Sequence, residues 1–203
     1  MKNTFNGWSN IGNMSLDAVT NLIVTGKTSR EAMPDTWIFK YIGDKNTQLN
    51  ILDFGCGIGR NTFGLSKYSS KWSIVGYDNE SMLDKTTEFW NLNYGGSISR
   101  NIWFQSEWDR IVKYYKFDVI FCNLVIQHIY EDAIKNYIQD FKKISPTLMV
   151  TGRRFNDDVN HRSNWEILEE SGLKPTIFKH GDVDIVYNPI GNPEDHNIAI
   201  YKL

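Results

Sequence analysis

A glycine-rich turn between an apolar strand and a helix is the feature that most constrains the fold of this 203-residue chain. Residues 50–53 (Asn-Ile-Leu-Asp) predict a short buried strand, and the glycines Gly55, Gly57 and Gly59 follow it. Residues 60–68 then predict a helix. Glycines at such a junction let the backbone approach a ligand closely, and the amides of the helix start favour electron-rich groups. This order is typical of a parallel sheet with a ligand site at its carboxyl edge.

The rest of the chain continues the alternation of strands and helices. Such alternation predicts an α/β fold with a mostly parallel sheet covered on both faces. The last strand-like segments lie close together in the sequence and predict a C-terminal antiparallel hairpin. The further predicted strands are 72–77, 101–105, 117–122, 147–151, 173–178, 183–187 and 197–201. The further predicted helices are 15–24, 37–42, 81–92, 131–143 and 164–171.

Length and composition predict one domain over residues 1–203, with a helical cap at 1–45 and a core at 46–203. The chain is 41% hydrophobic and 23% charged, which argues against disorder. A net charge of -2 gives no broad basic surface, so nucleic acid is not an expected partner. Two cysteines are too few for a disulfide framework, and no segment approaches the roughly 20 apolar residues of a membrane helix. We therefore expect a cytoplasmic protein that does not bind membranes.

Asp78 is the second component of the predicted site. It follows the predicted strand 72–77 and comes 78 − 53 = 25 residues after Asp53. An acid at this place can accept hydrogen bonds from the ribose hydroxyls of an adenosine cofactor. The dinucleotide fingerprint G-x-G-x-x-G, started at Gly55, would need glycine where the chain has Arg60. An acid two residues before the first glycine would repel a pyrophosphate but suits an ammonium group. The loop chemistry thus favours S-adenosylmethionine over NAD.

Three segments resemble motifs of the class I S-adenosylmethionine-dependent methyltransferases that act on small molecules. They are ILDFGCGIGRNT at 51–62, IVGYDNESML at 74–83 and FDVIFCNLVIQHI at 117–129. The resemblance implies a Rossmann-like seven-stranded sheet and S-adenosyl-L-methionine as the cofactor, with S-adenosyl-L-homocysteine as the product. It also implies a set of cofactor-binding residues: Asp53, Gly55, Cys56, Gly57, Gly59, Asp78, Asn79, Ser106, Glu107, Trp108 and Asn123.

His128 is the first candidate for a catalytic proton acceptor, because its loop follows the fourth predicted strand. The alternative is that it only shapes the cofactor site by packing or hydrogen bonding. Asp157 and His161, after the fifth predicted strand, are rival candidates for the catalytic role. Which of these groups acts, if any does, stays open at this point.

Three arginines also follow the fifth predicted strand: Arg153, Arg154 and Arg162. We expect them to bind the substrate, which would then carry an anionic group. The alternative is that this charged stretch is only a solvated loop.

The resemblance implies methyl transfer to a small-molecule acceptor, and we expect an oxygen of an anionic metabolite or sugar derivative. The chain has Asn123-Leu-Val-Ile in place of N-P-P-[YF], which gives no support for methylation of amino groups on DNA bases or glutamine. Asn123 also stands where catechol-type relatives use an acid, so no metal is expected. Two alternatives remain: a non-catalytic subunit that binds S-adenosylmethionine, and an RNA or protein methyltransferase. The oligomeric state cannot be inferred from the sequence.

Overall fold

The central element is a seven-stranded sheet with the order β3-β2-β1-β4-β5-β7-β6. The computed structural model describes residues 11, 13–96, 99–129, 131–152, 164–180 and 197–203. The strands are β1 (Leu49–Phe54), β2 (Trp72–Tyr77), β3 (Ile102–Gln105), β4 (Val119–Asn123), β5 (Thr147–Gly152), β6 (Pro175–His180) and β7 (Asn197–Lys202). Strands β1 to β5 pair in parallel, whereas β7 runs antiparallel to both β5 and β6. The predicted α/β fold, with its antiparallel C-terminal pair, is confirmed.

Seven α-helices are described: α1 (Leu16–Ile23), α2 (Thr36–Phe39), α3 (Arg60–Tyr68), α4 (Glu80–Tyr94), α5 (Trp108–Tyr114), α6 (Glu131–Ile144) and α7 (Asn164–Glu170). Helix α1 begins after Ser15, whose Oγ accepts a hydrogen bond from the amide of Ala18 at 3.2 Å. This is the N-cap expected from the sequence. The predicted strand at 183–187 lies outside the described residues.

Successive side chains of β1 face opposite sides of the sheet and belong to different apolar cores. Leu52 and Phe54 pack in a core with buried residues of α5, α6 and α7. Ile51 packs in a second core with residues of α2 and α3. The sheet is thus covered by helices on both faces, as expected from the sequence. Within the described ranges, no helix is both long and apolar enough to cross a membrane.

The short helix α5 was not predicted from the sequence. It has seven residues, and only Trp108 and Ile111 are buried. No side chain caps its first turn. A helix with two buried side chains and no capping signal leaves almost no periodic pattern, so it forms here through packing on the sheet.

Candidate functional site

A cavity of about 260 Å³ lies at the carboxyl edge of the sheet, where β1, β2 and β4 end. It combines carboxylates, the glycine loop, residues after β4 and the end of α1. The lining residues are Leu22, Ile23, Asp53, Gly55, Cys56, Gly57, Ile58, Arg60, Asn61, Asp78, Met82, Asn123, Leu124, Val125 and His128. The motif residues that follow or end β1, β2 and β4 thus meet in one cavity, although Asp53 and His128 are 75 positions apart in the sequence (128 − 53 = 75).

The glycine loop is held in a backbone conformation that favours glycine. Gly55, Gly57 and Gly59 have φ angles of 72°, 57° and 79°. The amides of Gly55 and Cys56 both donate to the carbonyl of Tyr77, at 2.8 and 2.9 Å. A Cβ at Gly55 would lie 2.5 Å from Val125 Cγ1. Glycine is therefore required at position 55 for two reasons, its φ angle and the close approach of the β4 loop.

Replacing Gly55 with alanine is expected to destabilise the protein more than the same change at Gly95. Gly95 also has a positive φ, of 65°, but a Cβ there would meet nothing within 4 Å. Gly95→Ala should thus cost only the backbone strain, about 1–2 kcal/mol. Gly55→Ala adds overpacking against Val125, typically about 1–3 kcal/mol. Urea unfolding of both variants measures the difference, and equal losses would contradict it.

Asp78 is buried at the end of β2 and bonded to the glycine loop. Its Oδ2 accepts a hydrogen bond from the amide of Gly57 at 2.9 Å, and its Oδ1 accepts from the amide of Asn79 at 2.8 Å. Burial raises the pKa of Asp78 to about 6, although these two amides oppose the shift. Asn79 also caps α4, since its side-chain oxygen accepts from the amide of Met82. The carboxylate is therefore fixed beside the loop that a cofactor would contact.

Asp53 is a second buried carboxylate in the cavity. Its Oδ2 accepts a hydrogen bond from Thr62 Oγ1 at 2.6 Å. Burial raises the pKa of Asp53 to about 7. The hydrogen bond from Thr62 and the charge of Arg60 oppose this rise, whereas the charges of Asp78 and Asp35 add to it. A cavity in which carboxylates are poorly compensated suits a ligand with a positive charge.

Asp35 is a contributor to the site that sequence reasoning missed. It accepts hydrogen bonds from Arg60 Nη2 at 2.6 Å, Asn61 Nδ2 at 3.3 Å and Asn123 Nδ2 at 3.0 Å. Burial opposes ionisation of Asp35, but the charge and hydrogen bond of Arg60, together with the hydrogen bonds from Asn61 and Asn123, outweigh it and lower the pKa of this carboxyl. Arg60 also donates to the carbonyl of Met33 at 2.8 Å. These contacts join the N-terminal segment to the start of α3 and the end of β4.

The chain turns sharply after β4 and brings His128 to the cavity. Leu124 has a φ of 60°, which a non-glycine residue rarely adopts. Asn123 accepts a hydrogen bond from the hydroxyl of Thr151 and is thereby fixed from two sides. His128 ends the short 3-10 helix Ile126–His128 and lines the cavity. The strained backbone at Leu124 thus directs the residues that follow β4 towards the cavity.

Several predicted site residues do not line the cavity: Gly59, Asn79, Ser106, Glu107 and Trp108. Trp108 is buried in the core, and its indole Nε1 donates to Asp140 at 3.0 Å. Cys56 does line the cavity. Burial, together with the charge of Asp78, raises the pKa of its thiol, so it is not a reactive thiolate. A further group of predicted residues lies outside the described part of the chain: Arg153, Arg154, Asp157, His161 and Arg162.

The chain is similar in sequence to one family and in fold to several solved enzymes. Residues 52–145 match the family model of a methyltransferase domain. A search of curated proteins found no match. An S-adenosylmethionine-dependent methyltransferase from Aquifex aeolicus superposes with a TM-score of 0.64 at 18% identity, covering 93% of this chain and 98% of its own.

Two further structures are similar at lower identity. An O-methyltransferase family protein from Burkholderia thailandensis has a TM-score of 0.60 at 12% identity and covers 82% of this chain. The match takes in 54% of that protein, so this chain spans about half its length. Magnesium protoporphyrin IX methyltransferase from Synechocystis PCC 6803, solved with bound S-adenosylmethionine, has a TM-score of 0.57 at 14% identity. That match covers 82% of this chain and 75% of the other.

The family match and the shared sheet confirm the resemblance drawn from the sequence motifs, and this family supports S-adenosylmethionine as the cofactor. The observed cavity fits that molecule, because it places a glycine loop without room for side chains beside two buried carboxylates. Residues 52–145 are therefore similar to a methyltransferase domain, and the chain has the fold of the class I S-adenosylmethionine-dependent methyltransferases.

Proposed function

We propose that this protein transfers the methyl group of S-adenosylmethionine to a small-molecule acceptor, at an oxygen of an anionic metabolite or sugar derivative. The observation that carries the proposal is the single cavity that joins Asp53, Asp78 and His128 around the glycine loop. Its two acids could bind the ammonium group and the ribose hydroxyls of the cofactor. Its histidine could accept the proton that an acceptor hydroxyl loses.

The acidic residues would hold the cofactor. Asp53 would accept hydrogen bonds from the ammonium group, and Thr62 keeps its carboxylate oriented through the 2.6 Å hydrogen bond. Asp78 would accept hydrogen bonds from the ribose hydroxyls. The bound cofactor supplies an electrophilic methyl group on its sulfonium. Leu22, Ile23 and other apolar side chains line the same cavity and would exclude water from it.

His128 would take the proton that the acceptor hydroxyl loses. The reaction is an in-line displacement, so most of the rate gain should come from aligning the donor and the acceptor. Asn123 is fixed by Asp35 and Thr151, which gives the β4 loop a rigid base for His128. Positioning and proton removal are thus assigned to neighbouring residues of one loop.

The compared structures and three arginines in the sequence support the proposed class of acceptor. The compared structures include an O-methyltransferase family protein and an enzyme named for a porphyrin substrate, which supports a small-molecule acceptor. The arginines that follow β5 in the sequence support an anionic group on it: Arg153, Arg154 and Arg162. A panel of phosphorylated and carboxylated alcohols is therefore the first set of acceptors to assay.

Asp78→Ala should weaken binding of S-adenosylhomocysteine by roughly ten- to a hundredfold, because charge-assisted hydrogen bonds are lost. Calorimetric titration of the wild type and the variant measures this. Asp84→Ala, an exposed change on the same helix–strand unit, is the matched control and should bind normally. Equal affinity of wild type and Asp78→Ala would contradict the assignment.

An activity assay on the same protein distinguishes an enzyme from a subunit that only binds the cofactor. Release of S-adenosylhomocysteine from S-adenosylmethionine, dependent on an added acceptor, identifies an enzyme. Normal cofactor binding without release for any member of the panel would favour the alternative of a non-catalytic subunit.

A further inference from the structure

A second cavity, of about 540 Å³, lies between α4 and the edge strand β3. Its volume falls in the range of small-molecule sites, about 300–1,000 Å³. It shares no lining residue with the cavity that contains Asp53 and Asp78. The proposed methyl transfer therefore leaves this space without a role.

The walls of the second cavity are aromatic. Phe63, Trp90, Trp103 and Phe104 line it. The ring centroids of Phe63 and Trp90 are 4.0 Å apart, and those of Phe63 and Phe104 are 5.7 Å apart. Trp103 is 51% exposed and Phe104 37% exposed, which is unusual for side chains of this size. Aromatic walls of this kind favour a planar ring as the ligand.

Trp90 belongs to the packed part of the cavity wall. Its side chain is only 8% exposed, and its ring packs against Phe63. Its indole Nε1 is buried, with no hydrogen-bond partner among the described residues, so it offers no accessible donor to a ligand in the cavity. The exposed rings of Trp103 and Phe104 are therefore the surface that a bound ring would contact.

Arg100 adds a positive charge at the same place. It lines the cavity and is exposed, and no acid forms an ion pair with it in the described part of the chain. A guanidinium beside aromatic walls recognises a carboxylate, sulfonate or phosphate on a ring system. The aromatic walls and the guanidinium thus favour one kind of ligand, a ring that carries an anionic group.

We propose that this cavity is a second binding site, which takes a planar aromatic molecule that carries an anionic group. The ring lies against Trp103 and Phe104, and the anionic group accepts hydrogen bonds from Arg100. This assignment does not depend on the proposed methyl transfer.

The test is a calorimetric titration of the full chain with 2-naphthoate, alone and in the presence of saturating S-adenosylhomocysteine. We expect one molecule to bind in both cases, with a dissociation constant below about 1 mM. The neutral analogue 2-naphthamide should bind roughly ten- to a hundredfold more weakly, because it cannot form the charge-assisted hydrogen bonds.

Two variants locate the site. Arg100→Ala should weaken 2-naphthoate binding by roughly tenfold or more, and it changes an exposed residue that the fold does not need. Trp103→Ala removes the most exposed ring of the wall, so it should also weaken binding. Arg110→Ala, an exposed arginine on α5, is the matched control and should bind normally.

Three results would overturn the proposal. They are the absence of 2-naphthoate binding, displacement of 2-naphthoate by S-adenosylhomocysteine, and unchanged affinity in Arg100→Ala. A concentration-dependent dimer that is lost in Trp103→Ala, without ligand binding, would instead assign the aromatic walls to contact between copies of the chain.

Discussion

Replacing His128 with alanine is expected to lower kcat by about a hundredfold or more at saturating cofactor and acceptor. His128 lines the cavity that also contains Asp53 and Asp78, and its loop is fixed through Asn123. An alcohol has a pKa far above 7, so a positioned base should lower the barrier as the new bond to oxygen forms. A histidine with the usual pKa of about 6.5 is mostly neutral at pH 7 and can accept that proton.

The pH dependence distinguishes a proton acceptor from a residue that only shapes the site. In the wild type, protonation of the imidazole should lower kcat as the pH falls, and this acidic limb should disappear in the alanine variant. His128→Gln keeps a polar side chain of similar length but cannot act as a base at this pH, so it should be as slow as His128→Ala. Near-normal turnover in His128→Gln would assign His128 to hydrogen bonding or packing instead.

Asp53→Asn is expected to change stability and cofactor affinity in opposite directions. Burial raises the pKa of Asp53 to about 7, so ionising it in the free folded protein costs free energy. At pH 8, Asn removes this cost and keeps an oxygen that can accept the hydrogen bond from Thr62. The free energy of unfolding should therefore rise at pH 8, at about 1.4 kcal/mol for each pKa unit by which the carboxyl is shifted. Affinity for S-adenosylhomocysteine should fall by roughly ten- to a hundredfold, because the ammonium group loses a charged partner.

The stability gained in Asp53→Asn depends on pH, because the folded and unfolded states of the wild type bind different numbers of protons at Asp53. Between the unfolded pKa of about 3.9 and the folded pKa of about 7, the folded state of Asp53 binds more protons than the unfolded state. The contribution of this residue to stability therefore falls as the pH rises through that window. The advantage of Asp53→Asn should be largest above pH 7 and should shrink towards pH 4. In the wild type, cofactor binding near pH 7 should release protons, so affinity should rise with pH.

Thermal and urea unfolding at pH 5 and pH 8, together with calorimetry in buffers of different ionisation enthalpy, measure these effects. Asp109→Asn, an exposed change on α5, is the matched control and should alter neither stability nor affinity. A lower stability of Asp53→Asn at pH 8 would show that the ionised carboxyl is stabilised in the free protein, contrary to our expectation.

The elements with strong periodic patterns were predicted well from the sequence. The strand at 72–77 matches β2 residue for residue, and the helix predicted at 131–143 is α6, with Tyr137, Ile138 and Phe141 buried as the spacing indicates. Helix α5 was missed because its short span holds only two buried side chains. Local pattern thus predicted where strands and helices alternate along the chain, whereas α5 forms through its packing on the sheet.

The site was predicted where motif and strand end coincide, and missed where distant segments meet. Asp53 lies near the carboxyl end of β1 and Asp78 directly after β2, so the geometry of a parallel sheet places them at one edge. Asp35 lies in a segment without a clear pattern, 88 positions before Asn123, and only the folded chain brings the two together. Trp108 was expected beside the cofactor, but α5 places this large apolar side chain in the core.

The network around Asp35 has a consequence for any attempt to trim the protein to a minimal catalytic unit. A shortened chain that begins at residue 46 would retain every motif residue from Asp53 to His128. It would nevertheless lack Asp35, the ion-pair partner of Arg60, so the guanidinium in the cavity would offset more of the negative charge of Asp53. We expect such a cavity to attract the cationic end of the cofactor less strongly. The segment before the first strand therefore contributes to the charge balance of the site, and we expect the smallest functional unit of this protein to include it.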